Sequence, residues 1–515
     1  KILSVILALI MLLLAVPFSA AGAEAESLPI VYLLGQGVEI ISADGKLLYC
    51  DGRVQIADGY IGDAVKEVLP DFIGAVTLGR WDEYHDSLMS VWEPIYKDIR
   101  LDDNGEISNG SYAFCGGGTV VNNPVFDIGS YVIQPDWRLD PFYNAGILDS
   151  FIQKVKQREG VSKVNLIARC EGANIAMAYL AIYGYNDINC LELYASAANG
   201  VEKVGALFSG DFKLYPDELK TYYYSKKISV GDENVDALLN SAVTWLAETY
   251  GFEGACRVLE KIVPKLYEKV IYDVLLTSYG SFPGIWCLVG PQYYATARER
   301  IFSGREEQYA GLLQKLDRYD REVRQRNNEL LAEAKAAGVK VAVIVKFGEF
   351  VTGTPIYREC TYIADSDISV ANSSFGATIS DTKYVRLSDD YLSKADERYI
   401  SPCKRIDAST CALPDTTWMV YDCRHNDFNE TMNILLKKFF DENGEMDVNT
   451  FEEFPQYLTY TGSSLRPMTE EDVQMNFDEQ AQKNNSFLAR IRRIFTSYLE
   501  MLKSALGVVF SRIVF

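Results

Sequence analysis

The sequence predicts an α/β chain: a mostly parallel sheet with flanking helices, a large inserted helical segment and a C-terminal amphipathic helix. Three observations predict it. Short apolar runs alternate with helix-length stretches as far as Tyr183, the spacing of βαβ units. The alternation breaks from about Asp211 to Ala336, where apolar residues recur at helical spacing (Leu238, Leu239, Val243, Leu246; Leu312, Leu313, Leu316). It resumes with the strong apolar run Val339–Val345. A chain of 515 residues, 48% hydrophobic and 23% charged, can also bury a core of that size, which excludes wholesale disorder and collagen-like architectures.

The elements follow in order. Lys1, the apolar run Ile2–Phe18 and the small residues Ser19–Ala23 have the layout of a secretory signal peptide over 1–23. An uncleaved N-terminal anchor is the alternative, disfavoured because the apolar stretch is short for a spanning helix; either way the body of the protein is expected outside the cytoplasm, secreted or in the cell envelope. Leu28–Leu34 reads as a buried strand running into the turn Gly35-Gln36-Gly37. Residues 60–97 read as helical, and the Gly-, Ser- and Asn-rich 104–123 as loop. Ser130–Ile133 is a strand, Phe142–Gln157 a helix, Lys163–Ala168 a strand and Ala173–Tyr183 a helix.

The first part of the sheet domain thus spans 24–210, and a helical cap is expected over 211–336. The second part spans 337–445, with a last strand at Trp418–Tyr421 and a helix near Glu430–Phe440. Residues 446–486 are polar and acidic and read as irregular cover or linker. Over 487–515, Phe487, Ile491, Ile494, Phe495, Tyr498, Leu502, Leu506, Val509 and Ile513 keep helical spacing. Arg490, Arg492, Arg493, Lys503 and Arg512 occupy much of the remainder. A basic amphipathic helix on an acidic chain suits docking at a membrane surface, and packing on the chain's own body explains the stripe equally well.

Charge and rare residues narrow the chemistry. Lys+Arg 50 against Asp+Glu 71 gives a net charge of -21, which argues against a nucleic-acid partner. The 33 tyrosines and 24 phenylalanines suit a lipid or carbohydrate ligand, or simply a large aromatic core. Ten cysteines are scattered without a C-x-x-C pair. A disulfide among Cys403, Cys411 and Cys423 and free buried thiols are both open. With His85 and His425 as the only histidines, no multi-histidine metal site can be assembled.

Ala168-Arg169-Cys170-Glu171-Gly172 falls between a predicted strand and a predicted helix. A small residue, a nucleophile and a glycine at alternate positions of such a junction form the nucleophile elbow of α/β hydrolases, because the turn brings two backbones close together. Cys170 stands where serine is usual. The fold's chain order of nucleophile, acid, histidine excludes His85 and selects His425. Asp367 is the preferred acid, with Asp365 the alternative. Backbone N–H groups of Glu171 and Gln36 are the expected oxyanion donors. A Cys-Asp-His site of this type needs neither cofactor nor metal.

Gln134-Pro135-Asp136-Trp137-Arg138-Leu139-Asp140-Pro141 resembles the D-W-R-x-x-P segment of the lecithin:cholesterol acyltransferase-like α/β hydrolases, which include lysosomal phospholipases. Ser366–Val370 is similar to that family's acid-bearing segment, Arg424-His425-Asn426 to its histidine segment, and Gly35-Gln36-Gly37 to its early oxyanion turn. The likeness runs in pieces from about residue 28 to 440. It implies an esterase, phospholipase or acyltransferase acting on an acyl ester or lipid, with Trp137 in the substrate pocket. The cap residue Trp286 is a candidate for lining an apolar pocket beside Cys170, and plain cap core explains it equally well. The family's A-H-S-x-G elbow is replaced here by Ala168–Gly172, and dienelactone-hydrolase-like enzymes also place cysteine at this position. Two other readings stay open: a catalytically degenerate fold that binds lipid or an envelope partner, and acyl transfer to amines.

Overall fold

The computed structural model describes residues 28–50, 53–57, 60–114, 130–211, 216, 219, 233–348, 364–365, 368–380, 386–423, 425, 430–472 and 496. The segment 1–23 and nearly all of 487–515 lie outside them.

Among the described residues the central sheet has eight strands. They are β1 (Ile30–Leu33), β2 (Ser130–Ile133), β3 (Val164–Arg169), β4 (Ile188–Tyr194), β5 (Lys340–Phe347), β6 (Thr417–Tyr421), β7 (Tyr457–Tyr460) and β8 (Leu465–Pro467). Their spatial order is β2-β1-β3-β4-β5-β6-β7-β8. Every neighbouring pair is parallel except β7 with β8 at the edge. The α/β-hydrolase fold expected from the sequence is this sheet with its flanking helices.

The helices are α1 (Tyr60–Leu78), α2 (Trp81–Tyr96), α3 (Pro141–Glu159), α4 (Gly172–Tyr183), α5 (Glu202–Ser209), α6 (Glu233–Leu266), α7 (Tyr272–Thr277), α8 (Pro283–Trp286), α9 (Pro291–Phe302), α10 (Ala310–Glu322), α11 (Asn327–Ala336) and α12 (Glu430–Asp441). Local sequence explains their ends. Asp140 caps α3 by accepting the Phe142 N–H at 2.9 Å, with Pro141 opening the helix and Gly160 (φ 68°) closing it.

Strand alternation sorts the core into two faces. Val31, Leu33, Leu166, Ala168, Leu191, Leu193, Val343 and Val345 join one cluster with α3, α4, α10 and α11. Ile30, Tyr32, Ile167, Tyr194, Ile344, Trp418 and Val420 join the other, where α12 contributes Met432, Leu435, Leu436 and Phe439.

Three features differ from the sequence reading. Periodicity assigns no strand to 188–194, because Asn189 and Glu192 interrupt its apolar run; in the structure β4 lies mid-sheet and Glu192 is buried in it. The polar stretch 446–486 contains β7 and β8, with Phe454, Leu458 and Tyr460 buried. It completes the sheet instead of merely covering it. Finally, the inserted segment 211–336 divides. Its last helices, α10 and α11, lie against α4 on the sheet face, where the Tyr319 hydroxyl donates to Asn174 Oδ1 at 2.8 Å.

The helices α6 and α7 instead join the earlier pair α1 and α2 in one helical layer. The Trp92 Nε1 donates to the Val274 carbonyl at 3.2 Å, and His85 Nε2 meets Asp273 Oδ2 at 2.9 Å. Among the described residues no disulfide joins Cys403, Cys411 and Cys423, and the Cys423 Sγ instead lies 3.9 Å from Met432 Sδ.

The contact at His85 gives a pH prediction. Burial alone would lower its pKa, but the hydrogen bonds and charges of Asp86 and Asp273 outweigh it and leave it above the usual 6.5. A histidine raised on folding contributes stability that is complete below its unfolded pKa and is lost as pH rises through the folded value. His85→Gln should therefore lower the melting temperature more at about pH 5.5 than at about pH 9. An equal deficit at both, measured by thermal unfolding, contradicts the contact.

Candidate active site

The turn between β3 and α4 is where the chain is most tightly constrained. Cys170 has φ 53°, a left-handed conformation that non-glycine residues rarely adopt. The Cys170 N–H donates to Tyr194 O at 3.1 Å, and Cys170 O accepts from the Ala173 and Ala197 N–H groups at 3.1 and 3.2 Å. The strained residue is thus fixed from both β4 and α4.

Glycines on both sides make the turn fit. A Cβ on Gly172 would stand 2.6 Å from the Leu33 carbonyl oxygen of β1. A Cβ on Gly35, in the turn after β1, would stand 2.9 Å from both Arg169 O and Glu171 N and 3.1 Å from the Cys170 Cβ. The Gly35 turn therefore lies directly against the elbow. Its neighbour Gln36 and the elbow residue Glu171 were the expected oxyanion donors. Neither backbone N–H is taken by a hydrogen bond among the described residues.

His425 reaches the same place. Its carbonyl oxygen accepts from Arg169 Nη2 at 2.9 Å and from Lys346 Nζ at 3.0 Å. Arg169 precedes the nucleophile on β3, and Lys346 sits near the end of β5, 1% exposed. The Lys346 ammonium also lies 4.4 Å from the centre of the Tyr194 ring. Burial pushes the Tyr32 phenol up to about 12, with the Arg169 guanidinium beside it pulling the other way. Asp367 lies outside the described residues, and of Asp365 only the backbone is described, paired with Ile368 across a short antiparallel hairpin.

Glu171, the residue after the nucleophile, does not face solvent. Its side chain is buried and its Oε2 has no hydrogen-bond partner among the described residues. Burial first, then the Cys170 thiol and the Asp136 carboxylate, hold its carboxyl well above the usual range, which favours the neutral acid. The inserted segment closes over it at α8. A Cβ on Gly284 would lie 1.9 Å from Trp137 O and 3.1 Å from Glu171 Oε1. Cys287, behind α8, is likewise kept a thiol by burial, and its Sγ–H donates to Gly284 O at 2.7 Å.

The two tryptophans expected beside the substrate are interior packing. Trp137 lies 4.9 Å from the Tyr49 ring and 5.6 Å from Phe282, between centroids. Trp286 is packed among Phe208, Tyr294 and Phe302, and its Nε1 donates to Gly280 O at 2.8 Å. The residues around Trp137 form a strut. Arg138 is fully buried, forks onto Asp136, and donates to Ile99 O and Ser111 Oγ at 2.9 and 2.8 Å. Gln134 Nε2 reaches Gly35 O at 3.4 Å, which links this strut to the oxyanion turn. His85 is engaged by Asp86 and Asp273 in the helical layer.

Lys346 has no place in the motif reading. The available signal is a lone cation within the run Val341–Phe347, where a buried charge requires specific partners.

No family model matches the chain, and no curated relative matches it. Among solved structures, "The crystal structure of Tle4-Tli4 complex" is similar at 12% identity and a TM-score of 0.24, over 66% of this chain and 80% of that one. The fold assignment stands on the strand order and the elbow.

Two predictions follow from the elbow's packing. Gly172→Ala should cost about 1–3 kcal/mol in denaturant unfolding, because a methyl at 2.6 Å must displace β1 backbone. A loss below about 0.5 kcal/mol would show that the turn is not tight. Glu171 binds a proton more firmly folded than unfolded, so wild-type stability falls as pH rises from its unfolded value of 4.5 toward the folded one. Glu171→Gln removes that slope. Unfolding free energies of variant minus wild type should rise between about pH 5 and pH 8, and a flat difference refutes the neutral acid.

Proposed function

We propose that the chain is a hydrolase or acyltransferase acting on an ester or acyl lipid through Cys170, His425 and Asp367. The observation that carries this reading is the left-handed Cys170 at the strand–helix turn, wedged against the Gly35 turn, with Arg169 bonded to the His425 carbonyl. A nucleophile raised on such a turn stands clear of its own strand and helix, open to a carbonyl and a base.

The steps follow from that placement. His425 takes the Cys170 proton, and the thiolate attacks the acyl carbonyl to form a C–S bond and an oxyanion. The N–H groups of Glu171 and Gln36 receive the oxyanion, a contribution of about 3 kcal/mol per donor. Collapse breaks the C–O bond, and the departing alcohol takes its proton from the His425 imidazolium. Water or an acceptor alcohol, deprotonated by His425, then attacks the thioester and the Cys170 thiolate leaves. Asp367 orients the imidazole, with Asp365 in reserve. The pieces resembling lecithin:cholesterol acyltransferase-like enzymes favour a lipid acyl group. The basic stripe within 487–515 would bring the chain to an anionic lipid surface, where each cation is worth about 1 kcal/mol.

Iodoacetamide alkylation of Cys170 and turnover of a soluble p-nitrophenyl ester test this together. Cys170→Ala should abolish both. His425→Ala should slow alkylation and reduce turnover by about 100-fold or more without changing the melting temperature. A Cys170 thiol that reacts at the rate of an ordinary cysteine, indifferent to His425, returns the chain to a binding role.

A further inference from the structure

The two cations that converge on His425 both bond its backbone carbonyl. Arg169 Nη2 and Lys346 Nζ donate to one oxygen, the His425 carbonyl, at 2.9 and 3.0 Å. They come from different strands of the sheet, β3 and β5, which are separated by β4. β4 joins the set: Tyr194 O holds the Cys170 N–H at 3.1 Å, while the Tyr194 ring lies under the Lys346 ammonium at 4.4 Å. Three adjacent strands therefore bind the nucleophile and the histidine segment into one network.

Lys346 is the informative member. It is flanked on its strand by the apolar residues Val341–Val345 and Phe347, and is 1% exposed. Burying an ammonium is costly unless partners of fixed geometry compensate it, and apolar side chains fill every neighbouring position of this strand. A carbonyl facing two cationic donors gains charge-assisted hydrogen bonds, about twice as strong as neutral ones. Such a carbonyl is a firm anchor for a segment that leaves β6 at Tyr421 and carries a histidine four residues later.

We propose that Arg169 and Lys346 are positioning residues that clamp the His425 carbonyl to β3 and β5 and so set the imidazole relative to Cys170. The proposal rests on the reading of Cys170 and His425 given above. It assigns a role to the arginine that this elbow carries next to its nucleophile. The guanidinium ties the base to the very strand whose end presents the thiol, so any shift of one is transmitted to the other. Displacement by about 1 Å in such a pair can reduce rate by about 100-fold.

The test uses the full chain with Arg169→Met, Arg169→Lys and Lys346→Met, and two independent readouts. One is kcat and KM on a soluble p-nitrophenyl ester, normalised to the Cys170 thiols that can be alkylated. The other is the ring signals of 13C-labelled histidine, of which the chain has two, His85 serving as the internal control. Arg169→Met should lower kcat by about 10- to 100-fold with KM within about twofold, and should shift or broaden the His425 signal alone. Arg169→Lys should recover most of both, because a carbonyl needs a single N–H donor. Lys346→Met should act in the same direction if it folds, and the Arg169 pair decides the matter if it does not.

An unchanged His425 signal and unchanged kcat in folded Arg169→Met overturn the clamp even when turnover depends on His425. A His425 signal that moves in Arg169→Met while the wild type shows no ester turnover upholds the clamp and overturns the catalytic reading instead.

Discussion

The structure depends on the crowding of three backbone segments at one point. β1 and the Gly35 turn, the end of β3, and the start of α4 approach until a single Cβ at position 172 would touch the β1 backbone. Parallel strands about 4.8 Å apart leave no slack there, so the residue between strand and helix must turn through the left-handed region. That conformation costs on the order of 1–3 kcal/mol at Cys170. Hydrogen bonds to Tyr194, Ala173 and Ala197 hold it in place. Everything proposed about reactivity follows from a thiol displayed on that forced turn.

The surroundings are organised around keeping the turn rigid and the space near it shaped. Asp136 and Arg138 pin a buried strut whose Gln134 touches the Gly35 carbonyl. Gly284 brings the inserted segment onto Trp137 and Glu171, where any larger residue would collide with a carbonyl oxygen. Burial holds the Glu171 carboxyl well above the usual range and favours its neutral form, while on the other side of Cys170 stands the Arg169 guanidinium. That cation is directed to His425 and Tyr32. The elbow thus sends its two flanking side chains in different directions, one into the protein and one to the histidine segment.

Much of this was legible in the sequence, for identifiable reasons. The strands at 30–33, 340–347 and 417–421 are dense in β-branched and aromatic residues, and 164–169 carries the apolar core Leu166–Ala168, so their runs are unambiguous. Ala168 and Gly172 around Cys170 encode a steric requirement, which is why the elbow is visible without any relative. β4 is hidden because Glu192, a buried acid whose two oxygens have no partner among the described residues, breaks the pattern that marks a strand. β7 and β8 are hidden because strands of four and three residues are too short for a periodic pattern to stand out within an acidic stretch. Trp137 and Trp286 are ambiguous in the sequence because aromatic identity does not distinguish a pocket wall from a core. Only the packing of Tyr49, Phe282 and Phe302 around them does. Asp367 and the helix over 487–515 stay expectations of the sequence.

The central claim is that Cys170 forms an acyl thioester, and trapping it is the most direct test. Excess p-nitrophenyl butyrate is mixed with the full chain, the reaction is quenched in acid, and intact and peptide masses are recorded. A single butyryl group on Cys170, removed by neutral hydroxylamine and absent from Cys170→Ala, is the predicted result. Ester turnover with the acyl group on another residue, or with none on Cys170 while substrate is being consumed, would contradict it.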